Sequence, residues 1–336
     1  MGAGPLAIAV RARAGIAIAL TLCALLAACG GDSEPPPPPG PLAATLAEVG
    51  GGGEHGSLGV GWTEPRLARA AGVKPELMAE ALGPNAQSVV ESGPELRRRF
   101  GFDPLSAERL TSVGGSYAFG LRADGIAGST LRAVLIRAGG VAKENDDGVG
   151  LVDVGPYAQV PQPLLRAGVF GLGARDAFPP GSTVLAISAS SRAALLGHDG
   201  RLIDQPIYRA AADCLSDVVA ARLVPERLLI SVEVGIDLVA VGITRNREVL
   251  CVLGGTSDRA GRTAASLRRA LAPEARDPRT GQRLSELVQP GAKVEMSTYD
   301  GVAVVRAEVT PLAGRRGFFF GTIARGSLVQ MISASR

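Results

Sequence analysis

The sequence predicts an α+β protein, an antiparallel sheet backed by helices and preceded by a short helical segment and a Pro/Gly-rich tether. Four apolar runs crowd between Val218 and Leu253, joined by connections too short for parallel strands, which need about a dozen residues to cross over. Residues 57–113 carry helical spacing punctuated by proline and glycine. Tyr299-Asp300-Gly301 joins two further apolar runs with a strong turn signal. The chain divides into residues 1–28, a tether at 29–56, the helical segment at 57–113 and an α+β body at 114–336. The last two either form one domain or sit apart, since roughly 280 residues accommodate one large domain or two apposed lobes.

The first segment carries Arg11 and Arg13 and no acid, then runs apolar and uncharged from Ala14 to Ala28. A basic flank before such a run is a secretory signal, too short to span a bilayer stably, which takes about 20 apolar residues. Leu26-Ala27-Ala28-Cys29 resembles the bacterial lipobox. The resemblance implies removal of residues 1–28 and acylation of Cys29, with palmitate-type chains holding the protein on the outer side of the cell membrane. It covers residues 1–29 and identifies no functional family for the body. Several buried acyl chains make such an anchor durable, each methylene contributing about 0.8 kcal/mol.

Pro35 to Pro39 then reads as a stiff polyproline II step and Gly50 to Gly53 as a swivel. Leu42-Ala43-Ala44-Thr45-Leu46 lies between them as a weak apolar patch capable of a transient helical turn.

In the body, helices are expected from Pro65 to Gly72, from Pro75 to Gly83, over Ser88–Phe100 with an interruption at Gly93-Pro94, and from Asp103-Pro104 through Leu110. Together they read as a lid or cap. Tyr117–Leu121 alternates, and Leu131–Ile136 reads as a strand. Glu144–Gly148 is a polar turn lacking the ligand spacing of a calcium loop. Thr183–Ile187 is a strand leading into a helix capped by a serine of Ser188–Ser191, and Pro206 opens a helix carrying Ile207, Ala211, Cys214 and Leu215. Strands follow at Val218–Val224, Leu228–Val234, Leu238–Ile243 and Val249–Leu253, then a helix over Ala264–Leu271 and a hairpin over Val294–Val309. The apolar tail from Phe318 to Ile332 reads as helix, with strands as the alternative. Strand-then-helix units at Val184–Leu196 and Val249–Leu271 suggest two related halves.

Of four cysteines, Cys23 leaves with the signal and Cys29 takes the lipid, so Cys214 and Cys251 remain for a disulfide, the alternative being two buried thiols. Two histidines, His55 in the tether and His198 in a turn, leave little for zinc sites or histidine-based triads. Gly168–Gly173 holds a Gly-x-x-Gly-x-Gly arrangement with no helix after it, a weak dinucleotide signal. The serines of Ser188–Ser191 lack a nucleophile elbow. Arg97-Arg98-Arg99 closes a helix, where cations suit the negative end of the dipole. Without Arg11 and Arg13 the 35 Lys+Arg fall to 33 against 32 Asp+Glu, a net charge of +1 that argues against nucleic acid as partner.

These features predict no cofactor, no metal and no catalytic residue. They fit a non-enzymatic binding or interaction module of the cell envelope, with an envelope protein, a lipid or a wall component as partner. The alternative is a hydrolase of wall or glycan working through paired carboxylates. Trp62, the only tryptophan, is expected in the core.

Overall fold

A computed structural model describes residues 40–51, 58–114, 119–137, 139–146, 148–153, 175–198, 200–229, 235–277 and 280–333. The signal segment, Cys29, the proline run, His55 and the Gly168–Gly173 stretch lie outside these residues.

The described helices are α1 (Pro41–Glu48), α2 (Pro65–Ala70), α3 (Pro75–Leu82), α4 (Pro84–Glu91), α5 (Gly93–Phe100), α6 (Ser129–Arg137), α7 (Ala189–Leu195), α8 (Pro206–Cys214), α9 (Ser257–Ala270), α10 (Phe318–Ala324) and α11 (Ser327–Ser333). The strands are β1 (Gly59–Thr63), β2 (Arg109–Gly114), β3 (Phe119–Asp124), β4 (Val141–Glu144), β5 (Gly150–Asp153), β6 (Asp176–Phe178), β7 (Ser182–Ala186), β8 (Ala220–Pro225), β9 (Leu238–Ile243), β10 (Glu248–Leu253), β11 (Lys293–Tyr299) and β12 (Val302–Val309). All twelve form one antiparallel sheet in the order β11-β12-β10-β9-β8-β1-β2-β3-β7-β6-β5-β4. The α+β architecture is therefore as the sequence predicts.

The order contains a repeat that the sequence hides. In each half a three-stranded meander, β1-β2-β3 or β8-β9-β10, is followed by a helix, α6 or α9, and then by strands that return so that the last one pairs with the meander's third: β7 with β3, β12 with β10. The halves meet at the antiparallel pair β1–β8. The counterpart of β10–α9 is thus β3–α6, and the expected pairing with Val184–Leu196 does not hold.

Helices cover both sides of the sheet. On one face, α1, α7 and α8 bury Leu42, Leu46, Leu195, Tyr208 and Ala211 against Trp62, Val113, Ala221 and Cys251. On the other face, α2, α3 and α9 to α11 pack on β8, β9, β10 and β12, while α3 to α6 pack on β2, β3 and β7. A sheet buried on both sides loses the polar alternation of a half-exposed one, which is why all six residues of β9 and of β10 are buried.

Several local expectations are corrected. Leu131–Ile136 is helical: Leu131 and Leu135, four apart, are buried while Ala133 is exposed, a helix face where a strand would bury every second residue. The helix from Asp103 stops after a single turn at Ser106, capped by the Asp103 carboxylate accepting from the Leu105 amide at 3.0 Å. Arg109–Gly114 is then a strand, because it finds β1 on one side and β3 on the other. Residues 41–48, read as part of the spacer, form α1 with Leu42, Thr45 and Leu46 buried. In the expected strand Leu228–Val234, Leu228 closes a one-turn helix (Glu226–Leu228) and residues 230–234 lie outside the described residues.

Other local features follow the expected chemistry. Prolines open α2 to α4, and Gly72, Gly83 and Gly101 follow the helices with positive φ. The Ser188 hydroxyl caps α7 by accepting from the Ser191 amide at 3.1 Å. At the tip of β11–β12, Asp300 and Gly301 both take left-handed conformations, with φ of 48° and 78°. The tail is helical, and Glu248, buried in β10, accepts from the amides of Gly317 (2.7 Å) and Phe319 (3.1 Å) at the start of α10.

Candidate functional site

The sheet's centre holds an anomaly. Among the described residues, β1 and β2 place Gly59, Gly61, Ser112 and Gly114 on the face covered by α3, in paired positions Gly59–Gly114 and Gly61–Ser112. Glycine inside a strand marks a close approach of backbone or a space left open, and both occur here. A Cβ on Gly61 would lie 2.5 Å from Leu82 Cα and 2.7 Å from the Ala81 carbonyl, so α3 rests directly on that strand. Over Gly59 and Gly114, where no side chain rises, a cavity of about 190 Å³ opens. Its apolar walls are Leu82 and Pro84 at the α3–α4 junction, Phe119 of β3, Val224 of β8, and Leu228.

Into this cavity comes one charge. Arg222 of β8 stands opposite Gly61 in the sheet register, so its stem crosses a position without a side chain. Its guanidinium ends beside the α3–α4 junction: a Cβ on Gly83 would sit 3.9 Å from its Nε and 4.0 Å from its Cζ. Burial depresses the Arg222 pKa, partly offset by the charge of Glu80 on α3. Burial likewise raises the Glu80 pKa, opposed by Arg222 and Arg325. Among the described residues the guanidinium makes no hydrogen bond or ion pair, with Glu80 acting on it only through space. The side chain is half-buried and, among the described residues, its hydrogen-bonding fork is left free, so the arrangement suits an anionic or acceptor group brought by a ligand. The adjoining α4 begins at Gly83-Pro84 without a side-chain cap, and its partial positive end favours the same sign of ligand.

The Ser112 hydroxyl is already committed, donating to the Leu82 carbonyl at 2.5 Å. Glu80 also faces a larger groove of about 710 Å³ between α3, α10 and the 310–317 loop, lined by Lys74, Glu76, Arg316 and Arg325 among others. Arg325 is paired there with Asp277 at 3.3 Å, and Arg316 donates to the carbonyls of Thr244 and Arg245.

The residues singled out in the sequence lie elsewhere. Cys214, at the end of α8, and Cys251, on β10, form a disulfide across the opposite face of the sheet. Trp62 is fully buried on that face. Arg97, Arg98 and Arg99 are exposed and paired with Asp103 or Glu95. Ser188 and Ser191 serve the α7 cap, and His198 follows the glycine that ends it. Among the described residues no three histidine, cysteine or acidic side chains gather as a metal site, and no helix is long and apolar enough to cross a membrane.

Sequence reasoning missed Arg222 and Glu80. Their signal was present but faint: one arginine inside the apolar run Ala220-Ala221-Arg222-Leu223-Val224, and glycines alternating in Gly59-Val60-Gly61-Trp62.

No protein-family model matches the chain, and no curated protein sequence matches it. Among solved structures the chain is similar to one described as crystal form IV of TP0453, with 9% sequence identity and a TM-score of 0.37, over 79% of this chain and 92% of that one. A likeness that weak gives no basis for transferring function.

Proposed function

We propose that this chain is a non-enzymatic ligand-binding module of the bacterial cell envelope, held by a lipid on Cys29 at the outer side of the membrane, with the cavity beside Arg222 as its binding site. The observation that carries the reading is the cavity itself: Gly59 and Gly114 withhold side chains at the centre of the sheet, and the Arg222 guanidinium, which makes no hydrogen bond among the described residues, lines the space they leave. A protein under selection for packing alone would fill such a space, because voids lose dispersion contacts. The Cys214–Cys251 disulfide supports an exported location, since such bonds persist in oxidising compartments. The lipobox-like stretch ending at Cys29 supports the anchor.

The test uses the full chain extracted from membranes. Native mass spectrometry is expected to find a small molecule on the wild type and on Leu228→Ala, which widens the cavity, and none on Leu228→Trp, which fills it. Equal occupancy of all three would place the ligand elsewhere and sink the reading. In the same fractionation, Cys29→Ala is expected to leave an unlipidated precursor. Normally processed Cys29→Ala protein retained on the membrane would remove the anchor.

A further inference from the structure

We infer that the ligand of this cavity is a small organic monocarboxylate, its carboxylate held by the Arg222 fork and its apolar body laid against Leu82, Phe119, Val224 and Leu228. The inference rests on the binding reading above and adds the ligand's chemical class. Three features select that class. The first is charge: among the described residues a single cation faces the cavity and the only hydroxyl, on Ser112, is spent on the Leu82 carbonyl. One planar guanidinium matches one carboxylate through two parallel hydrogen bonds, whereas a phosphate dianion would keep most of its charge and oxygens unanswered. The second is polarity. Away from Arg222 the large side chains on the wall are Leu82, Pro84, Phe119, Val224 and Leu228, which suit an apolar body, while the glycine positions and Ser112 supply the remaining, polar part of the lining. The third is size. Since an apolar cavity of about 150 Å³ holds benzene, about 190 Å³ takes roughly eight heavy atoms, the scale of hexanoate or benzoate.

Glu80 tunes the site. It lines the neighbouring groove and not the cavity, and its charge reaches Arg222 through space, so it weakens the attraction of that guanidinium for an incoming carboxylate. Removing its charge strengthens carboxylate binding, and a neutral ligand of the same shape is indifferent to it. The carboxylate belongs either to a free acid or to the exposed end of a larger lipid, and the two are separated by size.

The probes are sodium hexanoate, its neutral analogue hexanol, a lysolipid carrying a terminal carboxylate, and inorganic phosphate, titrated calorimetrically into the detergent-solubilised full chain. Hexanoate is expected to bind the wild type, at least about tenfold more weakly to Arg222→Met, and about threefold more tightly to Glu80→Gln, with Arg222→Lys between wild type and Met. Hexanol is expected to ignore all three changes. Arg222→Met is expected to fold about as stably as wild type, because it keeps a stem of similar length and removes a half-buried charge that makes no hydrogen bond among the described residues. Tighter binding of the lysolipid than of hexanoate would assign the carboxylate to a lipid. Hexanol binding as tightly as hexanoate, or phosphate displacing hexanoate, would overturn the carboxylate class while leaving the pocket in place. Hexanoate binding that survives Leu228→Trp would overturn the pocket itself.

Discussion

The meanders β1-β2-β3 and β8-β9-β10 have the same topology, meet at the centre of one sheet and share one face, yet they fill that face in opposite ways. The second presents Val224, Val239, Val241, Ile243, Leu250 and Val252 to α9, α10 and α11, all buried in a single cluster. The first also buries Leu110, Phe119, Leu121 and Ala123 there, but at Gly59, Gly61, Ser112 and Gly114 it withholds large side chains and accommodates in their place the α3–α4 junction and a cavity. Its connection from β1 to β2 carries α2 to α5, where the described residues between β8 and β9 hold one helical turn (Glu226–Leu228). The bracing also differs. The second meander is tied to α8 by the disulfide, whereas the first is tied to α1 by charge, with Arg109 bonded to Glu48 and Asp124, and Arg122 to Asp124. A repeated scaffold thus separates two tasks, one half supplying rigidity and the other supplying space, with Arg222 reaching from the rigid half into the open one.

Three measurements sharpen or break this contrast. The largest effect is expected from the disulfide, which spans 37 positions of chain. Loop-closure entropy for that span is worth about 4 kcal/mol, so Cys214→Ala/Cys251→Ala should lower the urea midpoint strongly. A loss under about 1 kcal/mol would remove the bracing role of the second half.

Next is the packing difference. Leu250→Ala, in the filled half, is expected to cost about 3 kcal/mol, as large-to-small changes in closed cores do. Leu228→Ala, on the cavity wall, already borders empty space and is expected to cost under about 1 kcal/mol. Equal losses at the two positions would mean that the cavity wall is packed as closely as the filled cluster.

The smallest is the pH dependence of the charged brace. Burial pushes the Asp124 pKa up, but the hydrogen bond from Ser182 and the charges of Arg122 and Arg109 outweigh it and leave the carboxyl below its ordinary value of 3.8. A lowered folded-state pKa stabilises the protein above that ordinary value, and the contribution drains away as pH falls toward the folded value. Asp124→Asn is therefore expected to cost about 2 kcal/mol at pH 7 and progressively less below pH 3.8. A deficit that stays constant through that range would show that the brace acts by shape alone.

Much of the second half was legible in the residues. β9 and β10 are unbroken runs of strand-forming residues between short turns, the Tyr299-Asp300-Gly301 turn carries its own conformational signal, and Cys214 and Cys251 were the two cysteines left to pair. The proline-opened helices α2 and α3 were equally plain, since proline and glycine act locally, whereas α4 begins at Pro84, four residues before the start that its spacing suggests. The first meander was not. Gly59-Val60-Gly61 and Arg109-Leu110-Thr111-Ser112 have little strand propensity by themselves, and they are strands because each is bonded on both sides. The candidate site fell in that blind spot.

The residues by themselves determined the class of fold, the proline-opened starts of α2, α3 and α8, the pairing of the two body cysteines and the supply of only two histidines. Those features depend on neighbours along the chain, on counts and on what is left over. Only the tertiary structure decided that β1 pairs with β8, that α3 presses on Gly61, and that Arg222 ends beside Gly83 at the cavity without a hydrogen-bond partner among the described residues. Arg222 and Gly61 stand 161 positions apart, and nothing local to either one encodes the other. Their meeting is set by the register of a long-range strand pair, which forms only when both faces of the sheet are buried at once.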